Sequence, residues 1–101
     1  MTETLEENVY RLGSYVPLVG STFDVGPGRE VEVELVSATE LPGDGECFSL
    51  VFRAPADAAL DQRTYRVEHP ELGDFPLFLV PLGPADDGRL ELEAIVNRPE
   101  D

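Results

Sequence analysis

Glu30-Val31-Glu32-Val33-Glu34-Leu35 alternates carboxylate and aliphatic side chains without a break. Successive side chains of a β-strand point to opposite faces, so this stretch has one acidic face and one aliphatic face. A helix would scatter both sets around its circumference. The period of two recurs on either side. Upstream, Phe23 and Val25 alternate with Thr22 and Asp24 before the turn signal Gly26-Pro27-Gly28. Downstream, Phe48, Leu50 and Phe52 share one face of a third strand, and Ser49, Val51 and Arg53 share the other. Thr64 to His69 reads as a fourth strand, with Tyr65, Val67 and His69 opposite Arg66 and Glu68. Phe75 to Val80 is a fifth, apolar on both faces and therefore expected to be central or covered on both sides. In the sixth, Leu90, Leu92 and Ala94 alternate with Glu91, Glu93 and Ile95.

The connections carry their own signals. Pro42-Gly43-Asp44-Gly45 and Pro70-Glu71-Leu72-Gly73-Asp74 are tight links, while Ala54 to Asp61 is a longer connector containing Pro55. Pro84-Ala85-Asp86-Asp87-Gly88 predicts a hairpin loop in which Asp-Gly supplies positive φ angles. Near the N-terminus, Thr4 and Glu7 have the spacing of a capping box, and Leu5, Val9 and Leu12 recur on one helical face before Gly13. The fold class expected is all-β: a six-stranded antiparallel meander closing into a barrel or sandwich, with one short N-terminal helix. Residues 1–14 are expected to form a helical segment packing on a β-domain of residues 15–97, followed by a loose tail at 98–101. Phe52, Val67 and Leu79 lie on the apolar faces of three different strands and are expected to be almost fully buried.

A chain of 101 residues holds one domain. At this length folding buries roughly two-thirds of the unfolded surface, enough for a core without metal or disulfide. Cys47 is the single cysteine, so no disulfide can form within the chain. Twenty-one acidic residues stand against seven basic ones, all arginine, for a net charge of −14. That field repels nucleic-acid backbones and anionic membranes, and it favours a basic protein as partner. The start of the chain has neither a basic nor an apolar segment of the secretory kind, and no apolar run is long enough to span a bilayer, so a cytoplasmic location is expected.

Four further stretches carry a likeness. Phe48-Ser49-Leu50-Val51-Phe52-Arg53-Ala54-Pro55, Leu60-Asp61-Gln62-Arg63-Thr64-Tyr65, Glu68-His69-Pro70-Glu71-Leu72-Gly73 and Phe78-Leu79-Val80-Pro81-Leu82-Gly83 occur in that order, after Pro17-Leu18-Val19-Gly20-Ser21-Thr22-Phe23. Together, from about Tyr15 to Asn97, they resemble a domain-of-unknown-function family of small bacterial proteins often encoded near phage-tail-collar-like proteins. Ala54 departs from the glycine usual there before the proline. The resemblance implies a non-enzymatic accessory of a tail-like or surface assembly, and it brings no active site with it.

The residues themselves offer little chemistry. Cys47 and His69 are the one nucleophile and imidazole that a catalytic pair would need, yet no third orienting group or oxyanion site accompanies them. His69, followed by Pro70, reads more simply as a residue that fixes the tight connection through backbone groups. One histidine and one cysteine cannot close a zinc site, and Asp86-Asp87-Gly88 lacks the alternating oxygen ligands of a calcium loop, so no metal or cofactor is expected. Glu30, Glu32 and Glu34, with Glu91 and Glu93 as a second row, are either a solvated face or a docking strip for a basic partner. The aromatic and aliphatic residues of the strands exceed what one small interior can hold, so part of that surface is expected to meet the N-terminal helix or another chain, a second copy included. The function expected is a non-enzymatic protein-interaction or structural module. The alternative is a small-ligand-binding or hydrolytic barrel using His69 and nearby carboxylates.

Overall fold

A computed structural model gives the structure of the protein and describes residues 12–26, 31–42, 46–58 and 60–98. Six antiparallel strands form a closed barrel: β1 Thr22–Gly26, β2 Val31–Glu40, β3 Glu46–Ala54, β4 Arg63–His69, β5 Gly73–Pro84 and β6 Leu90–Arg98. Each strand expected from the alternating pattern is present. Around the barrel the order is β1-β2-β3-β6-β5-β4. The chain therefore runs as two three-stranded meanders, β1-β2-β3 and β4-β5-β6, closed by the β3–β6 and β1–β4 pairs. The connector between β3 and β4 is long enough to carry the chain across one end of the barrel. Ala58 and Leu60 of that connector pack on the core there, and the Ala58 amide donates to the Pro55 carbonyl at 2.9 Å.

The opposite end is filled from the N-terminal side. Two 3-10 turns, Leu12–Ser14 and Val16–Leu18, flank Tyr15, whose ring is fully buried. That ring lies 5.7 Å from the Phe48 ring, 6.4 Å from Phe23 and 6.5 Å from Phe75. Tyr15 thus stands on the barrel axis as a stopper, and Leu18 is buried beside it. The capping box at Thr4 and Glu7, with Leu5 and Val9, lies outside the described residues, as do Gly28, Glu30 and the tail from residue 99. Arg98 belongs to the end of β6, paired with Glu46, and not to a loose tail.

The interior matches the alternation. Phe23, Val25, Val33, Leu35, Phe48, Leu50, Phe52, Tyr65, Val67, Phe75, Leu77, Leu79, Leu92 and Ala94 form one buried cluster. Phe52, Val67 and Leu79 are each buried, as expected from their faces. The Phe23 and Phe52 rings meet edge to face at 5.4 Å, a favoured aromatic arrangement.

Two bulges shape the sheet. In β2 the register slips between Leu35 and Ser37, so Val36 is an extra residue, and the strand continues to Glu40 past the end of its strict alternation. In β5 it slips between Pro81 and Gly83, with Gly83 at φ 110°, a region open to glycine without strain. The loop after β5 turns through Ala85 to Arg89, where the Gly88 amide donates to the Ala85 carbonyl at 2.9 Å. Gly88 alone supplies the positive φ there, because no non-glycine residue of the described chain has one. Asp87 serves the turn with its carboxylate instead.

Of the two expectations about β5, one holds: the strand is central, lying between β4 and β6. The strand is not covered on both faces. Its first half, through Leu79, is laddered to β4, and its second half, from Val80, to β6. Phe75, Leu77 and Leu79 point inward, while Phe78 and Leu82 on the outer face are 48% and 51% exposed. Nothing within the barrel can cover an outer face; a closed sheet has only one inside.

Candidate functional site

His69 ends β4 with its ring buried, 4.4 Å from the Phe23 ring. Its Nδ1 accepts the backbone N–H of Glu71 at 3.1 Å, and its Nε2 lies 3.1 Å from the Ser21 hydroxyl. Ser21 gives its one proton to the Leu18 carbonyl at 2.6 Å. These partners assign the neutral tautomer with hydrogen on Nε2. Both ring nitrogens are occupied in holding the β4–β5 connection and the end plug together. Cys47 is half-buried near the start of β3 and does not line the cleft at His69. The structure brings no nucleophile and base together from this pair.

The glutamates proposed as a docking strip fall on two strands separated by β3. Glu32 and Glu34 lie on the outer face of β2, and Glu91 and Glu93 on the outer face of β6; Glu30 lies outside the described residues. Arg53 of β3 is in register with both Glu34 and Glu91. Its Nε donates to Glu91 at 3.2 Å and its Nη1 reaches Asp87 at 3.4 Å. Arg89 donates from Nη1 to Glu34 at 3.0 Å and from Nε to Asp87 at 2.8 Å, while its backbone N–H meets the other Asp87 oxygen at 3.0 Å. Hydrogen bonds from the Arg89 backbone and guanidinium hold the Asp87 carboxyl below its ordinary pKa, and bonds to Asp87 and Glu34 raise that of Arg89. Glu93 accepts from the buried Ser49 hydroxyl at 2.9 Å. Two arginines therefore sit among the expected acidic rows, beside a surface cleft of about 570 Å³ that Glu32, Glu34, Arg53 and Arg89 line.

A denser acidic array crosses the other side of the barrel. Glu32 is directly opposite Asp24, Asp24 opposite Glu68, and Glu68 opposite Asp74, so four carboxylates on β2, β1, β4 and β5 stand in one lateral row. Directly opposed residues of an antiparallel pair have Cα atoms only about 4.5–5.5 Å apart, and like charges there destabilise the sheet. Arg66 meets the row at its end, donating from Nε and Nη2 to one Asp74 oxygen at 2.9 and 2.7 Å, and that contact raises the arginine pKa. Asp24, Glu68 and Asp74 line a cleft of about 420 Å³ with His69 at its edge. Reading along one strand at a time misses this row, since each strand contributes a single member; only the register assembles it. Among the described residues, no group of three histidine, cysteine or carboxylate side chains is arranged to hold a metal ion.

Exposed apolar side chains occur on the end plug, at Val16 and Val19, and on this outer surface. Phe78 and Leu82 of β5 are joined by Ile95 of β6, 53% exposed. Val80 is opposite Glu93, and Phe78 and Ile95 each lie two residues beyond that pair on the same outer face. Their other neighbours are short: Phe78 faces Thr64 across β4, and Ile95 faces Ser49 across β3. Hydroxyl side chains of that size cannot shield them.

Fold and surface together define a closed antiparallel barrel around a buried apolar core, with a carboxylate row and an exposed apolar patch on its outer surface. A family model matches residues 10–96, and the chain belongs to that family, the domain of unknown function DUF6916. Comparison with curated proteins and with solved structures gave no match. Among the described residues no helix is long and apolar enough to cross a membrane.

Proposed function

We propose that the protein is a non-enzymatic interaction module that works through its outer surface, as an accessory of a bacterial tail-like or surface assembly. The observation that carries the first part is the exposure of Phe78, Leu82 and Ile95 on the outside of a barrel that already has its own buried apolar core. Apolar side chains grouped on the outside of a small domain mark contact with another chain. The assembly context comes from the family resemblance in the strand segments. The rival, a ligand-binding or hydrolytic barrel using His69, is less favoured because both imidazole nitrogens already serve structural bonds and Tyr15 occupies one barrel end.

The test begins with a partner copurified from the source cells and rebound in pure form by surface plasmon resonance. A Cys47→Ser/His69→Gln variant should bind it within about tenfold of the parent, roughly 1.4 kcal/mol. Loss of cellular function in that variant, with fold and binding intact, overturns the non-enzymatic reading.

A further inference from the structure

We infer that the outer face running from β1 across β4 and β5 to β6 is a docking surface for a basic amphipathic segment of a protein partner, with Phe78 and Ile95 as its apolar anchor. The inference rests on the interaction reading above and adds the place and the chemistry of the occupant. Three observations meet on this face. Phe78, Leu82 and Ile95 are exposed and edged by Thr64 and Ser49, too short to cover them. The acidic row Glu32-Asp24-Glu68-Asp74 ends on β5 at Asp74, on the same outer face as Pro76 and Phe78. Among the described residues the row has one salt bridge, from the exposed Arg66 guanidinium to Asp74 at its end.

The charge decides between occupants. A second copy would bring another −14 and another acidic row to the contact, which opposes self-association at this face. A segment with lysine or arginine beside leucine-like residues places its apolar side chains on Phe78 and Ile95 and its cations over Asp24 and Glu68. Those two carboxylates oppose each other across β1 and β4, and among the described residues neither is in a salt bridge with an arginine, although Arg66 also attracts Glu68; a second cation there relieves the repulsion between them. By contrast, Glu34 and Glu91 each have an arginine partner already. A cation arriving there would have to displace Arg53 or Arg89.

The probe is a short synthetic leucine–lysine peptide of amphipathic order, compared with a peptide of the same composition in scrambled order. Binding is followed by fluorescence anisotropy at low and high salt, and the site is mapped by amide chemical shifts of the intact protein. The expected result is that shifts concentrate at Asp24, Glu68, Asp74 to Val80 and around Ile95, with the ordered peptide bound at least about tenfold more tightly than the scrambled one. Phe78→Ser with Ile95→Thr, both on exposed positions that leave the core intact, should abolish that tenfold preference. Asp24→Asn with Glu68→Gln should weaken binding and flatten its salt dependence.

Shifts confined to Glu34, Arg53 and Glu91 would overturn the inference, as would equal binding of the two peptides. A concentration-dependent dimer of the free protein that Phe78→Ser dissolves would also overturn it, by assigning the face to a second copy. All three results leave the interaction reading standing, because that reading fails only on the Cys47/His69 variant.

Discussion

Nε2 of His69 lies 3.1 Å from the Ser21 hydroxyl, a contact between residues 48 apart in sequence. Through it the last residue of β4 is fastened to the segment that plugs the barrel. Ser21 in turn binds the Leu18 carbonyl through both its hydroxyl and its backbone N–H, and the neighbouring Gly20 amide donates to Leu35 at 2.7 Å. The plug is therefore tied to β2 and to β4 by backbone and side-chain bonds together.

Ser21→Ala should cost about 1–3 kcal/mol, the penalty for leaving a buried donor on His69 without its acceptor. Urea denaturation measures it as a lower midpoint with an unchanged slope. A loss under about 0.5 kcal/mol would mean that water replaces the hydroxyl and that the link adds little.

Phe52→Ala should cost about 3–5 kcal/mol, close to the stability of a domain this size. Phe52 is buried on the inner face of β3, edge to face with Phe23, and alanine would leave a void amid neighbours held by the closed ladder. Chemical denaturation monitored by circular dichroism gives the number. A loss below about 1 kcal/mol would mean the interior collapses onto the site.

Asp87 is expected to contribute to the acid response of the β5–β6 hairpin. Its carboxyl pKa is lowered in the fold by the backbone and side-chain bonds from Arg89. A lowered folded pKa stabilises fully above the unfolded value, about 3.9 for aspartate, and that contribution disappears as pH falls through the folded pKa. Asp87→Asn should therefore reduce stability at neutral pH and make little difference in strong acid. Melting temperatures of the two proteins across the acid range should converge as pH falls. Parallel curves would show that the asparagine amide supports the turn equally well.

The interior was legible because the β-period states it residue by residue: Phe48, Leu50 and Phe52 needed only to alternate with Ser49, Val51 and Arg53. Strand order was not, since no local pattern says that the residues after Pro55 cross the barrel end before β4 begins. Tyr15 escaped as well. It lies between two 3-10 turns, outside any period, and its burial comes from closing an end, not from facing a sheet. For β5, apolar residues on both faces read as a strand either central or covered on both sides; it is central, but a closed barrel leaves Phe78 on the outer face in water. The glutamates of β2 and β6 were visible as rows, but Arg53 between them becomes their partner only through cross-strand register.

The lateral carboxylate row gives the remaining prediction, and it is one of sign. Asp24 and Glu68 face each other across β1 and β4, with Glu32 and Asp74 as the next members outward. Neutralising two of these with Asp24→Asn and Glu68→Gln removes opposed like charges and should raise stability, by about 0.2–1 kcal/mol for each relieved pair. The comparison is Glu34→Gln with Glu91→Gln. There Arg89 and Arg53 lose carboxylate partners, and stability should fall. Peptide affinity should move the other way for the first variant and little for the second. A surface that gains stability as it loses binding is one where repulsion is held for the sake of a partner. Thermal melts and anisotropy titrations of the two variants side by side decide it. If the Asp24/Glu68 variant is destabilised, the row is held by contacts that favour the charges, and its repulsion cannot be what a basic partner relieves.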